Sequence, residues 1–160
     1  VGIFDVGSDV SRLLILRNGR VVYTRDHPFG GNQLTEEIMR RYDMTPEQAR
    51  FFMRGEPGPE NFDEEVLEPF MLNVVHQISR ALQFYSSSAE FSNVRTIYLS
   101  GSMASIKVLP EVVEQELGIK SSVADPVAGM DLAPSVAVAA LNRNAPSLMV
   151  ATGLALRGFD

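Results

Sequence analysis

The sequence predicts an α/β fold in which a mixed sheet begins as an antiparallel three-stranded meander and contains a small helical insert. Three short apolar runs, separated by turn-forming residues, fill the first 25 positions. Segments with helical periodicity then alternate with two more short apolar runs, at residues 94–99 and 119–123. Strands and helices in this order are typical of a sheet covered by helices.

The meander is predicted from apolar runs at residues 1–5, 13–16 and 21–24. Asn18-Gly19 separates the second and third runs, and it is a strong hairpin signal because a type I′ turn needs positive φ at both central residues. Gly7 and Ser8 are expected in the first turn.

Two helices should follow the meander. Asn32 is a candidate N-cap for a helix over residues 32–42, with Leu34, Ile38 and Arg41 on one stripe. Thr45 is expected to open a second helix, because Pro46 suits the first helical position and Gln48 completes a capping box.

A Pro- and Gly-rich loop over residues 55–63 precedes a long amphipathic helix, predicted over residues 64–87. Its apolar residues recur at helical spacing. They are Val66 or Leu67, Phe70, Met71, Val74, Val75, Ile78, Leu82 and Tyr85.

In the C-terminal part of the chain, strands are predicted over residues 94–99 and 119–123, with a helix over residues 110–117 between them. Gly118 should end this helix in the left-handed conformation. Two Ala-rich helices, over residues 134–141 and 146–156, should each begin with Pro. The predicted core consists of residues 1–30 and 88–160, and residues 31–87 form the helical insert.

Composition excludes several classes of site. The formal net charge is −6, which makes nucleic acid an unfavourable partner. The chain has no Cys and two His, so thiolate metal sites and histidine-rich metal cages are excluded. His76 is expected to be a partly buried, hydrogen-bonded core residue, and His27 a loop residue.

No apolar stretch reaches the roughly 20 residues that cross a bilayer, which predicts a chain that does not span one. Val1 already lies in an apolar run, and an apolar stretch ends just before Asp160. We therefore expect the sequence to be part of a longer protein.

The first predicted turn could hold phosphate. Backbone N–H groups of a tight turn can bind phosphate oxygens, and a neighbouring carboxylate can hold magnesium through water. Gly7 allows close approach, Ser8 adds a hydroxyl, and Asp5 ends the first strand. The alternative is an ordinary polar hairpin turn.

Two further small-residue turns could complete a nucleotide site. Gly101, Ser102 and Met103 follow the fourth strand, where small residues would admit a ribose and a base. Gly30-Gly31 before a helix would offer free N–H groups. Either turn could equally be a plain connection, but together with Gly7 they fall in the right order for one cleft.

These residues resemble the superfamily of actin, FtsA and MreB. Asp5, Gly7, Ser8 and Ser11 resemble its second phosphate motif, and Gly30-Gly31 with residues 34–38 resembles its Gly-Gly loop and helix. Residues 99–104 are similar to its adenosine motif. The predicted element order is that of the ribonuclease H-like core that actin-like proteins use twice.

Longer strings resemble the PilM family of type IV pilus assembly proteins within that superfamily. They are YTR at 23–25, FGGNQLTEEI at 29–38, LEPF at 67–70, SRALQFY at 79–85, LSGSMASI at 99–106 and ATGLALRGFD at 151–160. The similarity runs the whole length of the chain and matches the second, C-terminal half of such proteins.

The resemblance implies a cytoplasmic ATP-binding scaffold of the pilus assembly platform at the inner membrane, which serves twitching motility. Its partners would be the N-terminal tail of PilN and the pilus motor ATPases, and hydrolysis would be slow or absent. ATP or ADP with Mg²⁺ would be bound as follows: phosphate and magnesium by Asp5, Gly7 and Ser8; ribose and adenine by Gly30, Gly31, Gly101, Ser102 and Met103.

The resemblance also implies that the first phosphate motif and most of the PilN groove lie outside this sequence. A surface exposed in this way could drive self-association. Ser102 and Met53 depart from the family pattern, which leaves a purely structural interaction module as one alternative. A sugar- or acetate-kinase-like phosphotransferase is another, with Asp9 as its candidate base.

Overall fold

The computed structural model describes residues 1–52, 58–88 and 94–159. Its five strands form one mixed sheet in the order β3-β2-β1-β4-β5. The strands are β1 (Gly2–Val6), β2 (Ser11–Arg17), β3 (Arg20–His27), β4 (Thr96–Ser100) and β5 (Lys120–Val123). The mixed α/β class predicted from the sequence is confirmed.

Strand pairing confirms the meander. β1 pairs antiparallel with β2, and β2 pairs antiparallel with β3. Asn18 and Gly19 have φ of 51° and 73°, as the predicted hairpin requires. β4 lies parallel to both β1 and β5, so the carboxyl ends of these three strands lie at the same edge.

Six α-helices, in the described part of the chain, surround this sheet. A π-helical turn (Asp63–Leu67) leads into the third helix, so the long helix predicted over residues 64–87 has a wider first turn. The helices are α1 (Gly31–Tyr42), α2 (Pro46–Phe52), α3 (Glu68–Ser88), α4 (Leu109–Leu117), α5 (Val138–Asn144) and α6 (Met149–Leu156).

One face of the sheet carries the core. Phe4 lies opposite both Leu13 and Leu99 in register, and all three are buried, because alternate residues of a strand share a face. A single apolar cluster joins these strands to α1, α3 and α4. Its helical members include Leu34, Ile38, Val74, Ile78, Leu109 and Val113.

The cap prediction for α2 is confirmed, but that for α1 is wrong. Gln48 N–H donates to Thr45 Oγ1 at 3.3 Å, and Thr45 N–H donates back to Gln48 Oε1 at 2.8 Å. The N-cap of α1 is Gly30 without a side-chain bond, and Asn32 lies inside the helix. Arg41 is not part of the apolar stripe, because its guanidinium pairs with Glu65 on the surface.

The two C-terminal helices start later than predicted. Val136 N–H bonds to Ala133 O in a turn, and Ala137 has ψ of 87°, so α5 begins only after Ala137. Pro146 lies in a short 3-10 helix (Ala145–Leu148) that precedes α6. Gly118, with φ of 63°, closes α4 as expected.

Both histidine predictions are wrong. His27 is the last residue of β3 and is buried, with 5% of its surface exposed. His76 is exposed, because at about 100° per residue it lies roughly 200° around α3 from the buried Val74.

Met53 and residues 55–57 of the predicted loop lie outside the described residues. Within the described ranges, no helix has both the length and the apolar character that a bilayer crossing requires.

Candidate functional site

The candidate site is built on the carboxyl ends of β1 and β4. Asp5 lies directly opposite Ser100 in the parallel register. Ser100 is 1% exposed, and its hydroxyl donates to Asp5 Oδ1 at 2.8 Å. This bond occupies one carboxylate oxygen of the partly exposed Asp5 and fixes its orientation.

The turn after β1 projects from this edge. Ser8 and Asp9 are exposed, whereas Ser11 at the start of β2 is buried and donates from its hydroxyl to Phe29 O at 2.7 Å. The turn is compact, since a Cβ at Gly7 would lie 2.6 Å from Val10 O. The outer edge of the turn therefore faces solvent while its base is tied to the chain that follows β3.

The Gly30-Gly31 segment lies against this turn. Gly31 N–H donates to Gly7 O at 2.9 Å, and Asn32 N–H donates to Ser8 O at 2.8 Å. A Cβ at Gly30 would lie 2.4 Å from Ser8 O, so the approach needs glycine. The prediction that this helix start offers free N–H groups is wrong for Gly31 and Asn32, because protein carbonyls accept both.

The turn after β4 reaches the same place. Gly101 has φ of 88°, and a Cβ there would lie 2.3 Å from Val6 O. Its N–H donates to Pro146 O at 2.9 Å. Met103 is 7% exposed and covers Gly31, where a Cβ would lie 2.9 Å from its sulfur.

All eight residues that the sequence singled out thus lie along one edge. The turn of Gly7 and Ser8 contacts Gly30 and Gly31, and Gly31 contacts Met103. Asp5 lies near the end of β1, and Gly101 directly follows β4, the strand that pairs with β1. Ser102 is the exposed member of the third turn. Asp5, Ser8 and Ser102 are the polar members of the set.

Sequence reasoning missed two residues that support this edge. Ser100 orients Asp5, and Asn32 donates from its side-chain amide to Asp9 Oδ1 at 2.7 Å. Ser100 could have been found from its position, because it directly follows one predicted strand and Asp5 ends another. Asn32 resembled a cap, which hid its pairing with a residue 23 positions away.

His27, four residues before Gly31, packs against Phe4, with ring centroids 6.5 Å apart. Burial lowers the pKa of His27 below its usual value, and the positive charges of Arg25 and Arg80 lower it further. Its Nε2 atom is buried without a hydrogen-bond partner within the described residues. Burial and the neighbouring positive charges thus both favour the neutral ring.

Two cavities of about 370 Å³ lie elsewhere in the described part of the chain. One cavity lies along α2, between Met44 and Phe51. The other lies on the sheet face opposite the core, between Tyr98 and Leu156. None of the eight candidate residues lines either of these two cavities.

Within residues 1–52, 58–88 and 94–159 no three side chains of the metal-ligating types converge. Asp5 is the carboxylate at the edge of β1 and β4. Magnesium usually keeps several waters and takes one or two carboxylates, so a donor set of this kind fits water-mediated binding.

Comparisons with solved structures identify the architecture. The chain resembles the PilM protein of a PilM-PilN type IV pilus biogenesis complex, with a TM-score of 0.84, 22% identity and 99% of this chain covered. It resembles the ethanolamine utilization protein EutJ of Carboxydothermus hydrogenoformans at a TM-score of 0.65, with 17% identity over 97% of this chain. It resembles the ADP-bound MreB5 of Spiroplasma citri at a TM-score of 0.64, with 13% identity over 97% of this chain.

The matched regions cover 46%, 47% and 52% of those three proteins, so this chain spans about half their length. The fold is actin-like. A family model described as type IV pilus assembly protein PilM matches residues 1–159. With almost every residue matched, and with the β1 turn, the glycine pair and the β4 turn joined at one edge, the chain belongs to the PilM family of type IV pilus assembly proteins.

Proposed function

We propose that this chain supplies one side of an ATP-binding cleft in an actin-like scaffold of the type IV pilus assembly platform. The observation that carries the proposal is the convergence of Asp5, the Gly7-Ser8 turn and the Gly101–Met103 turn at one edge of the sheet. Actin-like relatives bind nucleotide, as the ADP-bound MreB5 of Spiroplasma citri illustrates.

In this proposal Gly7 and Ser8 face the phosphates, and Asp5 holds Mg²⁺ through water. Ser100 supports that role, because its hydroxyl takes Oδ1 and leaves the second oxygen of Asp5 for a hydrated cation. When bound, the ion would neutralise phosphate charge. We assign no residue to hydrolysis, which would be slow or absent.

Gly30, Gly31, Gly101, Ser102 and Met103 would line the ribose and adenine. Gly30 and Gly31 would do so by shape, because the N–H of Gly31 is already bonded to the β1 turn. In the proposed division of the chain, residues 1–30 and 88–160 form the core and residues 31–87 the helical insert.

The proposed setting is the cytoplasmic side of the inner membrane, where the protein would be held by the N-terminal tail of PilN and would work with the pilus motor ATPases in twitching motility. Membership of the PilM family supports this setting. A related protein in a PilM-PilN complex supports PilN as partner. This chain covers 46% of that relative, and we propose that most of the PilN groove lies in the other part, so that contacts of this chain with PilN are weak. We also propose that the chain self-associates through the surface exposed in this way.

The decisive experiment titrates fluorescent ATP with Mg²⁺ into this chain, its Asp5→Ala variant and the corresponding full-length protein. A cleft shared between two halves is supported if the full-length protein binds ATP, Asp5→Ala abolishes that binding, and this chain alone binds more weakly. Absence of binding to the full-length protein at millimolar ATP contradicts the proposal.

A structural interaction module without nucleotide binding is the second candidate. It is favoured by the engagement of the α1 amides by protein carbonyls. A ligand at 100 times its dissociation constant stabilises a protein by about 2.7 kcal/mol. Unchanged thermal stability of the full-length protein in saturating Mg-ATP would therefore favour this candidate.

A kinase-like phosphotransferase has less support. Its candidate base, Asp9, accepts a hydrogen bond from the Asn32 amide instead of standing free for an acceptor hydroxyl. Phosphoryl transfer to a sugar or carboxylate acceptor in a screen would restore this alternative.

A further inference from the structure

Four hydrogen bonds join the β1 turn and the first residue of β2 to the start of α1 and the segment just before it. Two run from the Gly31 and Asn32 amides to Gly7 O and Ser8 O, at 2.9 and 2.8 Å. A third runs from Ser11 Oγ to Phe29 O at 2.7 Å. The fourth joins Asn32 Nδ2 to Asp9 Oδ1 at 2.7 Å.

The fourth bond differs from the others in kind. It joins two side chains, and one of them carries a negative charge, so it is stronger than a bond between neutral groups. Asp9 is the one ionised residue of the turn between β1 and β2. Held by Asn32, its carboxylate lies at the first turn of α1, where the positive end of the helix dipole favours an anion.

We propose that Asn32 is a positioning residue, which acts through Asp9 to hold the Gly7-Ser8-Asp9 turn in the conformation that accepts phosphate. This inference rests on the proposed function. Without the bond, the turn keeps its backbone links but gains freedom at Asp9, and the carboxylate is free to swing towards the phosphates and repel them.

The test uses variants that keep the charge of the site constant. Asn32→Ala removes the donor. The double variant Asp9→Asn with Asn32→Asp exchanges donor and acceptor, so the same bond can form with the same net charge. Gln33→Ala, at an exposed neighbour in the same helical turn, is the matched control.

Affinity for Mg-ATP is measured on the full-length protein. We expect Asn32→Ala to weaken binding by about five- to tenfold, the exchanged pair to return it to within about twofold, and Gln33→Ala to leave it unchanged. Equal affinities of wild type and Asn32→Ala, or an exchanged pair as weak as Asn32→Ala, would overturn the proposal.

A second readout needs no nucleotide. The amides of residues 31 and 32 donate to the turn, so their hydrogen exchange reports its closure. We expect exchange about five- to tenfold faster in Asn32→Ala and restored in the exchanged pair. Unchanged exchange overturns the positioning role. If exchange follows this pattern and no protein binds ATP, the bond holds the turn but the proposed function fails.

Discussion

Ser100 donates a hydrogen bond to the carboxylate of Asp5, although the two residues are 95 positions apart in the chain. The parallel pairing of β1 and β4 places them directly opposite each other. The hydroxyl is almost fully buried, so the bond is shielded from competing water. The bond therefore connects β1 to β4 immediately before the turns that follow these two strands.

Ser100→Ala is expected to weaken nucleotide binding only when magnesium is present. Removing the hydroxyl frees Asp5 to rotate and leaves the phosphate-facing backbone unchanged. A bond to a charged group contributes about 1.5–3 kcal/mol, so affinity should fall roughly tenfold or more. Titrations of the full-length protein with and without Mg²⁺ measure the difference.

Ser87→Ala is the control for that measurement, since Ser87 is exposed near the end of α3 and is not a member of the candidate site. A loss of affinity in Ser100→Ala that is equal with and without Mg²⁺ would show that the hydroxyl supports the fold rather than the cation.

Gly101→Ala should destabilise the protein by about 2 kcal/mol or more. The backbone has φ of 88°, and the added Cβ would lie 2.3 Å from Val6 O. A strained backbone alone costs about 1–3 kcal/mol, and the close contact adds to it. Urea denaturation measures the change in the free energy of unfolding.

Gly118→Ala separates the two causes. Gly118 also has positive φ, at 63°, but a Cβ there meets nothing within 4 Å. We expect a loss of about 1 kcal/mol, from the left-handed conformation alone. Equal losses at Gly101 and Gly118 would contradict the close contact with Val6.

His27 should make stability depend on pH below neutrality. The folded state lowers its pKa through burial and the charges of Arg25 and Arg80. The unfolded state therefore binds a proton first as pH falls, so stability is full above the unfolded value of about 6.5 and declines below it. The decline from pH 7.5 to 5.5 should be at most about 1.4 kcal/mol.

The measurement compares wild type with His27→Gln by urea denaturation at both pH values, which cancels the carboxylates common to both proteins. We expect a smaller decline in the variant. Identical pH dependence in wild type and His27→Gln would refute the assignment.

Ile78→Ala should cost about 2–5 kcal/mol in the free energy of unfolding. Ile78 is fully buried on α3, and its truncation leaves a cavity in the cluster that joins α3 to the sheet. Leu72→Ala, at an exposed position of the same helix, should cost well under half as much. Thermal or urea unfolding of both variants provides the check.

Most of the fold could be predicted from the sequence, because the governing signals are local. Asn18-Gly19 specifies a hairpin through backbone conformation, and the recurrence of apolar residues in α3 specifies its buried face. The starts of α1 and α5 could not be predicted in this way. A tertiary contact sets the start of α1, where Gly30 lies against the β1 turn. The start of α5 follows from Ala137, whose ψ of 87° is not helical.

The candidate site was predicted as residues but not as interactions. Asp5, Gly7 and Gly101 were visible because glycine and aspartate are typical of phosphate-binding turns. Pairings across distant positions leave no local pattern: Ser100 meets Asp5 through strand register, and Asn32 meets Asp9 through the packing of α1 against the β1 turn. The same reason made His27 resemble a loop residue.

The composition of α6 has a consequence for cooperativity. None of its side chains is buried, and Val150 and Leu154 are 70% and 59% exposed. Eight residues are too few to stay helical by propensity alone, so α6 depends on the few contacts of its inner side. We expect it to open locally at a small fraction of the free energy that unfolds the sheet. This chain thus has a steep internal gradient of stability, from the strands around Phe4 to a C-terminal helix that melts almost independently of them.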